Sequence, residues 1–118
     1  MDDFSEKLKL KMDLFVHGVY KCTKKFPREE IYGVTSQIRR ASLSVVLNYI
    51  EGYARKRNLV KKNFWEISYG SLQESKYLLK FSFDECLIED KSEYDVLLGL
   101  SDEIGAMLWK SMESITTD

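Results

Sequence analysis

The chain has 118 residues, 44% of them hydrophobic and only one a proline, which suits a single folded helical domain that buries a core without disulfides or metals. Its net charge of −1 argues against a uniformly basic nucleic-acid binder, yet residues 1–63 carry 14 Lys and Arg against 7 Asp and Glu while residues 64–118 carry 4 against 12. Two cysteines, Cys22 and Cys86, with no secretory leader and no apolar run of membrane-spanning length, point to a reduced, cytoplasmic protein with no disulfide and no membrane contact.

Phe4, Leu8, Met12, Phe15, Val19 and Cys22 recur at spacings of four, four, three, four and three, which predicts a first amphipathic helix over residues 4–25. The chain turns at Phe26-Pro27. A long second helix is expected over 27–57, with Pro27 at its first position, Glu29 and Glu30 in its first turn and Arg55, Lys56 and Arg57 at its end. At 100° per residue, Ile31, Val34, Ile38, Ala41, Val45, Tyr49 and Gly52 share one face, while Leu43, Leu47, Ile50 and Ala54 form a second apolar sector nearly opposite. The bundle's own core covers the first face. The second needs another partner, and a copy of the same chain is the expected one. A strand at Ser42–Ile50 is the alternative, but no Gly, Pro or Asn-Gly signal brackets the run and helical spacing continues on both sides.

Asn58 and Leu59 form the next turn, and a third helix over 60–86 places Phe64, Ile67, Ser68, Ser71, Ser75, Leu78, Leu79 and Ser82 on its inward face. Serines there let a neighbouring backbone come close, with hydroxyls bonded locally or to a polar partner. The connection Ile88–Lys91 leads to a fourth helix over 93–115, with Ser92 as N-cap and Asp95 completing a weak capping box. The tail, residues 116–118, is expected to fray. All six glycines fall inside these helices, and Gly52 and Gly70 are the expected points of close helix approach. Four helices joined by short connections make an all-α, antiparallel up-down-up-down bundle with a single domain over 1–118.

The chain offers little that would do chemistry. A di-iron bundle site needs Glu-x-x-His on two helices, and the one histidine, His17, follows Leu14 at that spacing. Cys22 and Cys86 lack metal-ligand spacing, and the glycines are too scattered for a phosphate loop. Between the two apolar sectors of the second helix runs a polar stripe of Gln37, Arg40, Ser44, Asn48, Glu51 and Arg55. Asn48 and Glu51 read as members of a structural network with Gln37, Arg40, Ser44, Ser71 and Glu74, since no nucleophile, base or metal set accompanies them. No catalytic residue, cofactor or metal is expected.

Tyr49, Tyr53, Phe64, Trp65 and Tyr69 surround a basic turn of Arg55, Lys56, Arg57, Lys61 and Lys62. Interleaved charge and aromatic rings suit single-stranded nucleic acid, with phosphates held by the cations and unpaired bases stacked on the rings. A solvated turn whose aromatics face the core is equally compatible. With Arg39 and Arg40 added, these cations form the candidate nucleic-acid-binding set, and Leu43, Leu47, Ile50 and Ala54 form the candidate oligomer interface.

The segments Phe26-Pro27 with Glu30, Ser36–Ala41, Asn48–Arg55, and Phe64 with Tyr69–Glu74 resemble the small four-helix bundle proteins called S23 proteins, first associated with reading frames inside intervening sequences of 23S ribosomal RNA genes. Tyr49 stands where that family usually has Ile, and Ser75 where it often has Leu. The resemblance implies a four-helix bundle assembled as a homopentameric ring. It also implies a likeness to the accessory variability protein of diversity-generating retroelements, whose pentamer engages a reverse transcriptase and nucleic acid. The expected function is a non-enzymatic oligomeric scaffold that binds RNA or DNA, and the alternative is a protein–protein adaptor that binds neither.

Overall fold

A computed structural model describes residues 1–116. The chain forms four α-helices, α1 (Asp3–Thr23), α2 (Val34–Tyr53), α3 (Asn58–Asp84) and α4 (Lys91–Glu113), with a 3₁₀ turn at Arg28–Glu30 and no strand among the described residues. Each helix packs on its chain neighbours and α1 closes against α4, giving a four-helix bundle. The tail expected to fray lies outside the described residues beyond Thr116.

The helix ends follow from local hydrogen bonding. Asp2 caps α1 by accepting from the Ser5 N–H at 2.7 Å, and Asp90 caps α4 by accepting from the N–H groups of Ser92 and Glu93. The cap of α4 is thus Asp90 and not Ser92, whose hydroxyl donates to the same carboxylate at 3.1 Å. At the end of α3, Cys86 adopts φ 61°, and the N–H groups of Cys86 and Leu87 return to the carbonyls of Phe83 and Ser82. That is a Schellman closure with cysteine where glycine is usual, and it stops the helix at Asp84 instead of Cys86.

The second helix is shorter than its periodicity suggests. Pro27 is extended at ψ 146°, the acids Glu29 and Glu30 belong to the 3₁₀ turn, and α2 begins only after Gly33. At the other end Arg57 is extended, so Arg55, Lys56 and Arg57 lie in the connection to α3. Gly33 consequently sits before a helix and not inside one.

Leu8, Met12, Phe15 and Val19 of α1, Ile38, Val45 and Tyr49 of α2, Leu72 and Leu79 of α3, and Ile104 and Leu108 of α4 form the sealed core. Each such side chain contributes about 1.5–3 kcal/mol by leaving water. The inward face of α3 is Trp65, Ser68, Leu72, Ser75, Leu79 and Ser82, whereas Ile67 is exposed and Phe64 and Ser71 are only half-buried. Ser68 donates to the Val45 carbonyl at 2.6 Å, so α2 and α3 approach closely, and Ser75 and Ser82 bond back to carbonyls one turn earlier in α3. Of the two glycines expected at close approach, only Gly52 meets a neighbour. A Cβ there would come within 2.5 Å of Trp65, while one at Gly70 would meet nothing within 4 Å.

Candidate nucleic-acid interface

The connection between α2 and α3 is four residues long, from Ala54 to Arg57, and it carries the basic turn to one end of the bundle. Arg55 pairs with Glu51 at 3.2 Å, one helical turn back, and its guanidinium lies 5.0 Å from the centre of the Phe64 ring. The Lys61 ammonium sits 5.6 Å from the Tyr53 ring and 5.8 Å from that of Trp65. Lys56 and Arg57 are exposed and make no ion pair among the described residues. Lys62 is half-buried and borders a trough of about 320 Å³ that it shares with Glu66, Tyr69 and Trp109. The turn therefore presents several cations to solvent, with one of them partly neutralised by Glu51.

The aromatic residues around it are differently placed. Tyr49 is wholly buried and stacked on Trp65 at 5.3 Å, and the Trp65 indole N–H donates to the Tyr49 carbonyl at 3.1 Å. Burial also raises the pKa of the Tyr49 phenol, whose hydroxyl has no hydrogen-bond partner among the described residues. Neither ring can stack on a base without unpacking the core. What the turn can do chemically is hold phosphate, with Tyr53, Phe64 and Tyr69 half-buried at its margin.

Arg39 and Arg40 lie elsewhere. They sit in the second turn of α2, about 24 Å from Arg55 at 1.5 Å per helical residue. Arg40 pairs with Glu74 of α3 at 3.0 Å, and Arg39 is bonded to Thr23 of α1. The candidate cations thus divide between the two ends of the bundle.

The polar stripe of α2 runs along its junction with α3. The hydroxyls of Ser44 and Ser71 bond to each other at 2.7 Å, and the Asn48 amide donates to both the carbonyl and the hydroxyl of Ser44 at 2.9 Å. Arg40–Glu74 lies at one end of this chain of contacts and Glu51–Arg55 at the other, while Gln37 is exposed outside it. On the outer side of α2, Leu43, Leu47 and Ile50 remain 38%, 60% and 39% exposed, and Ala54 is exposed beside them. They form one apolar strip that the chain's own core does not cover.

The charge division between the two halves of the sequence also has a structural counterpart. Lys11 pairs with Glu103, Lys25 with Glu93 and Arg40 with Glu74, each a cation of the first half facing an acid of the second. His17 is exposed, and burial, reinforced by the Glu93 carboxylate, pushes the Cys22 thiol up to about 12. Among the described residues no three His, Cys, Asp or Glu side chains are grouped to hold a metal.

Sequence reasoning missed Trp65 and Leu72 as the inward residues of α3. A signal was present: Trp65, Ser68, Leu72, Ser75, Leu79 and Ser82 follow a strict three-four spacing, hidden because every second member is a serine. It also missed how Arg39 is held, since Tyr20 and Thr23 come together with it only through the packing of α1 on α2.

A family model described as 23S rRNA-intervening sequence protein matches residues 7–110. Among solved structures, the chain is similar to a protein with unknown function from the S23 ribosomal protein family of Bacteroides thetaiotaomicron. The two share 20% identity and a TM-score of 0.80, over 91% of this chain and 99% of the other, a likeness of fold alone. No curated protein matches the chain.

Proposed function

This chain belongs to the 23S rRNA-intervening sequence protein family, and on that premise we propose that it is a non-enzymatic scaffold that assembles as a homopentameric ring and holds RNA or another nucleic acid on its basic turns. The observation that carries the reading is the uncovered strip of Leu43, Leu47, Ile50 and Ala54 beside a core that is already closed. An apolar strip on a helix is covered most economically by another copy of the same chain. A ring repeats Arg55, Lys56, Arg57, Lys61 and Lys62 around one rim, so one strand engages several subunits and gains affinity that a single turn lacks. With Tyr49 and Trp65 buried, the contacts are to phosphate, and recognition is by charge and shape. The reading places the protein in the cytoplasm, where its two unpaired cysteines remain reduced.

Light scattering is the first test, with an expected mass about five times the 13.8 kDa of one chain. Binding of single-stranded RNA should weaken steeply with salt, with a log–log slope of about −0.7 per phosphate neutralised. Replacing Arg55, Lys56 and Arg57 with Glu should flatten that slope for all sequences alike and leave the ring intact. A monomeric protein, or a triple variant that binds as wild type, refutes the reading.

A protein–protein adaptor is the second reading, and the ion pairs Lys11–Glu103, Lys25–Glu93 and Arg40–Glu74 favour it, because they use part of the basic excess inside the bundle. In that case the ring recruits a protein, a reverse transcriptase being the partner suggested by the resemblance to accessory variability proteins. Absence of RNA and DNA binding even at low salt decides for it.

A further inference from the structure

At the end of the bundle that carries the basic turn, α3 begins and α4 ends, and between them one aromatic pair lies open. Trp109 of α4 is 51% exposed, and its ring centre lies 5.4 Å from that of the half-buried Tyr69 of α3. The ring planes meet at 57°, so the pair is slanted and much of the indole surface is left to solvent. Trp65 differs, being stacked on Tyr49 at 20° and sealed in the core.

The two rings and Gly70 border a trough of about 320 Å³, with the buried Met112 at its base. Gly70 lies in the interior of α3, where glycine weakens a helix relative to alanine, yet a Cβ there would meet nothing within 4 Å. No packing inside this chain accounts for the missing side chain. The glycine instead keeps the trough clear beside Trp109, as a flat group laid against the indole requires.

Lys62, Glu66 and Glu113 complete the border, and none of the three makes an ion pair among the described residues. Lys62 belongs to the same basic cluster as the turn, so it can hold a phosphate at the edge of the trough. The two carboxylates repel a phosphate from its interior, while their oxygens accept hydrogen bonds from uncharged N–H donors. A flat, neutral group with amino protons on its rim and a phosphate attached matches all of these features.

From this arrangement we infer that the α3–α4 trough takes one unpaired nucleobase of a bound single strand, stacked on Trp109, with its exocyclic amino group donating to Glu66 or Glu113 and its phosphate held by Lys62. Single strands are commonly read in this way, with a splayed base laid on an aromatic ring and bonded along its edge. Adenine, guanine and cytosine carry an exocyclic amino group. Uracil has a carbonyl in its place, and its one ring N–H is flanked by carbonyl oxygens that the carboxylates repel. The inference rests on the nucleic-acid reading above and adds base selection to the phosphate contacts of the turn.

The test compares oligo(C) with oligo(U) of equal length on the full chain, by fluorescence anisotropy across a salt series. Both strands carry the same charge, so a difference between them reports the base. Wild type should bind oligo(C) about threefold to tenfold more tightly, the scale of one hydrogen bond, with the same salt slope for both. Trp109→Ala should weaken oligo(C) binding about fivefold or more, the scale of one lost stack, and leave the slope unchanged. Replacing both acids, Glu66→Ala with Glu113→Ala, should tighten the binding of both strands and erase the difference between them.

Gly70→Leu fills the trough at a position where the added Cβ meets nothing within 4 Å, so it should fold as wild type does and lose the preference as Trp109→Ala does. Glu in place of Arg55, Lys56 and Arg57 should flatten the salt slope and keep the preference, which separates the trough from the rim. The inference is overturned, with the nucleic-acid reading left standing, if wild type binds both strands equally on a steep salt slope, or if Trp109→Ala and Gly70→Leu keep the preference. Loss of the assembled mass in both variants also overturns it, because the trough is then a subunit contact. Absence of RNA binding even at low salt removes the reading and the inference together.

Discussion

Where α2 meets α3 many contact positions are small or hydroxylated, Gly52, Ser44, Ser68 and Ser71 among them beside the Tyr49–Trp65 stack, whereas α1 meets α4 through the Leu97 side chain against Gly18 and through the pair Lys11–Glu103, with Lys25 just past α1 paired to Glu93. Small residues let the first two backbones come close enough for Ser68 and Trp65 to donate to carbonyls of the facing helix. Those carbonyls use their second lone pairs, so the bonds add to the helical ladder without breaking it. The surface pairs between α1 and α4 contribute little by comparison. Register is therefore held most strongly in the α2–α3 seam. The same seam sends the large apolar side chains of its helices outward, with Leu43, Leu47 and Ile50 on α2 and Ile67, Tyr77 and Phe81 on α3 all exposed. A hairpin closed by small residues on one side and apolar on the other is the physical basis of the proposed ring.

The contrast between the two sides of α2 is broken most severely by charge. Val45 is wholly buried and its carbonyl receives the Ser68 hydroxyl. Val45→Asp places an unpaired carboxylate at that point, at a cost of about 4 kcal/mol or more. That is a large part of the 5–15 kcal/mol that holds a typical domain, so loss of cooperative unfolding and of most helical circular dichroism is expected. Leu47→Glu, on the exposed side, should keep the helical signal while the mass falls to that of one chain. A Leu47→Glu protein that unfolds like Val45→Asp contradicts the distinction between the two faces. One that keeps its assembled mass refutes the strip as the interface.

The number of helices and the outward strip of α2 were legible because both rest on a 3.6-residue period carried by large side chains, and Leu43, Leu47 and Ile50 are exposed where their angular positions put them. The inward face of α3 was not, because Ser68, Ser75 and Ser82 occupy core positions and give no apolar signal, which shifts the apparent face towards Ile67. The start of α2 was misplaced for a different reason. Pro27 followed by two acids is a good helix opening, but here it opens a 3₁₀ turn that Gly33 ends. The division of the basic residues between two ends of the bundle, and the clamping of Arg39 by Tyr20 and Thr23, depend on tertiary contacts that no local pattern encodes.

A milder pair of substitutions sharpens the comparison. In Gly52→Ala the new methyl lies 2.5 Å from Trp65 and 3.0 Å from the Lys61 carbonyl, so the indole and its bond to Tyr49 must shift. The net effect expected is a loss of about 1–3 kcal/mol, despite the better helix propensity of alanine. Gly70→Ala meets nothing within 4 Å and should gain up to about 1 kcal/mol in a single chain. Denaturant unfolding in the Leu47→Glu background measures both. A gain from Gly70→Ala in that background that vanishes in the assembled protein places Gly70 within a subunit contact.

The smallest expected effect separates the helices by how they begin. α1 and α4 start on Asp2 and Asp90, whose carboxylates accept hydrogen bonds, while α2 and α3 start at Gly33 and Arg57 with no side-chain cap. The Ser92 hydroxyl, and after it the Ser92 and Glu93 N–H groups, hold the Asp90 carboxyl below its usual value, and the Ser5 N–H does the same for Asp2. A carboxyl lowered in the folded state favours folding while it is ionised. That stabilisation is complete above the unfolded value of about 4 and is lost as pH falls through the lower folded value. Asparagine at both positions keeps a neutral acceptor at each cap and removes the titration. In the Asp2→Asn, Asp90→Asn double variant, Tm should fall less than in wild type between about pH 5 and about pH 2, and hydrogen exchange in the first turns of α1 and α4 should respond less to acid. An identical pH profile in the two proteins means that these caps do not titrate with folding, and that the difference between capped and uncapped helices has no bearing on acid stability.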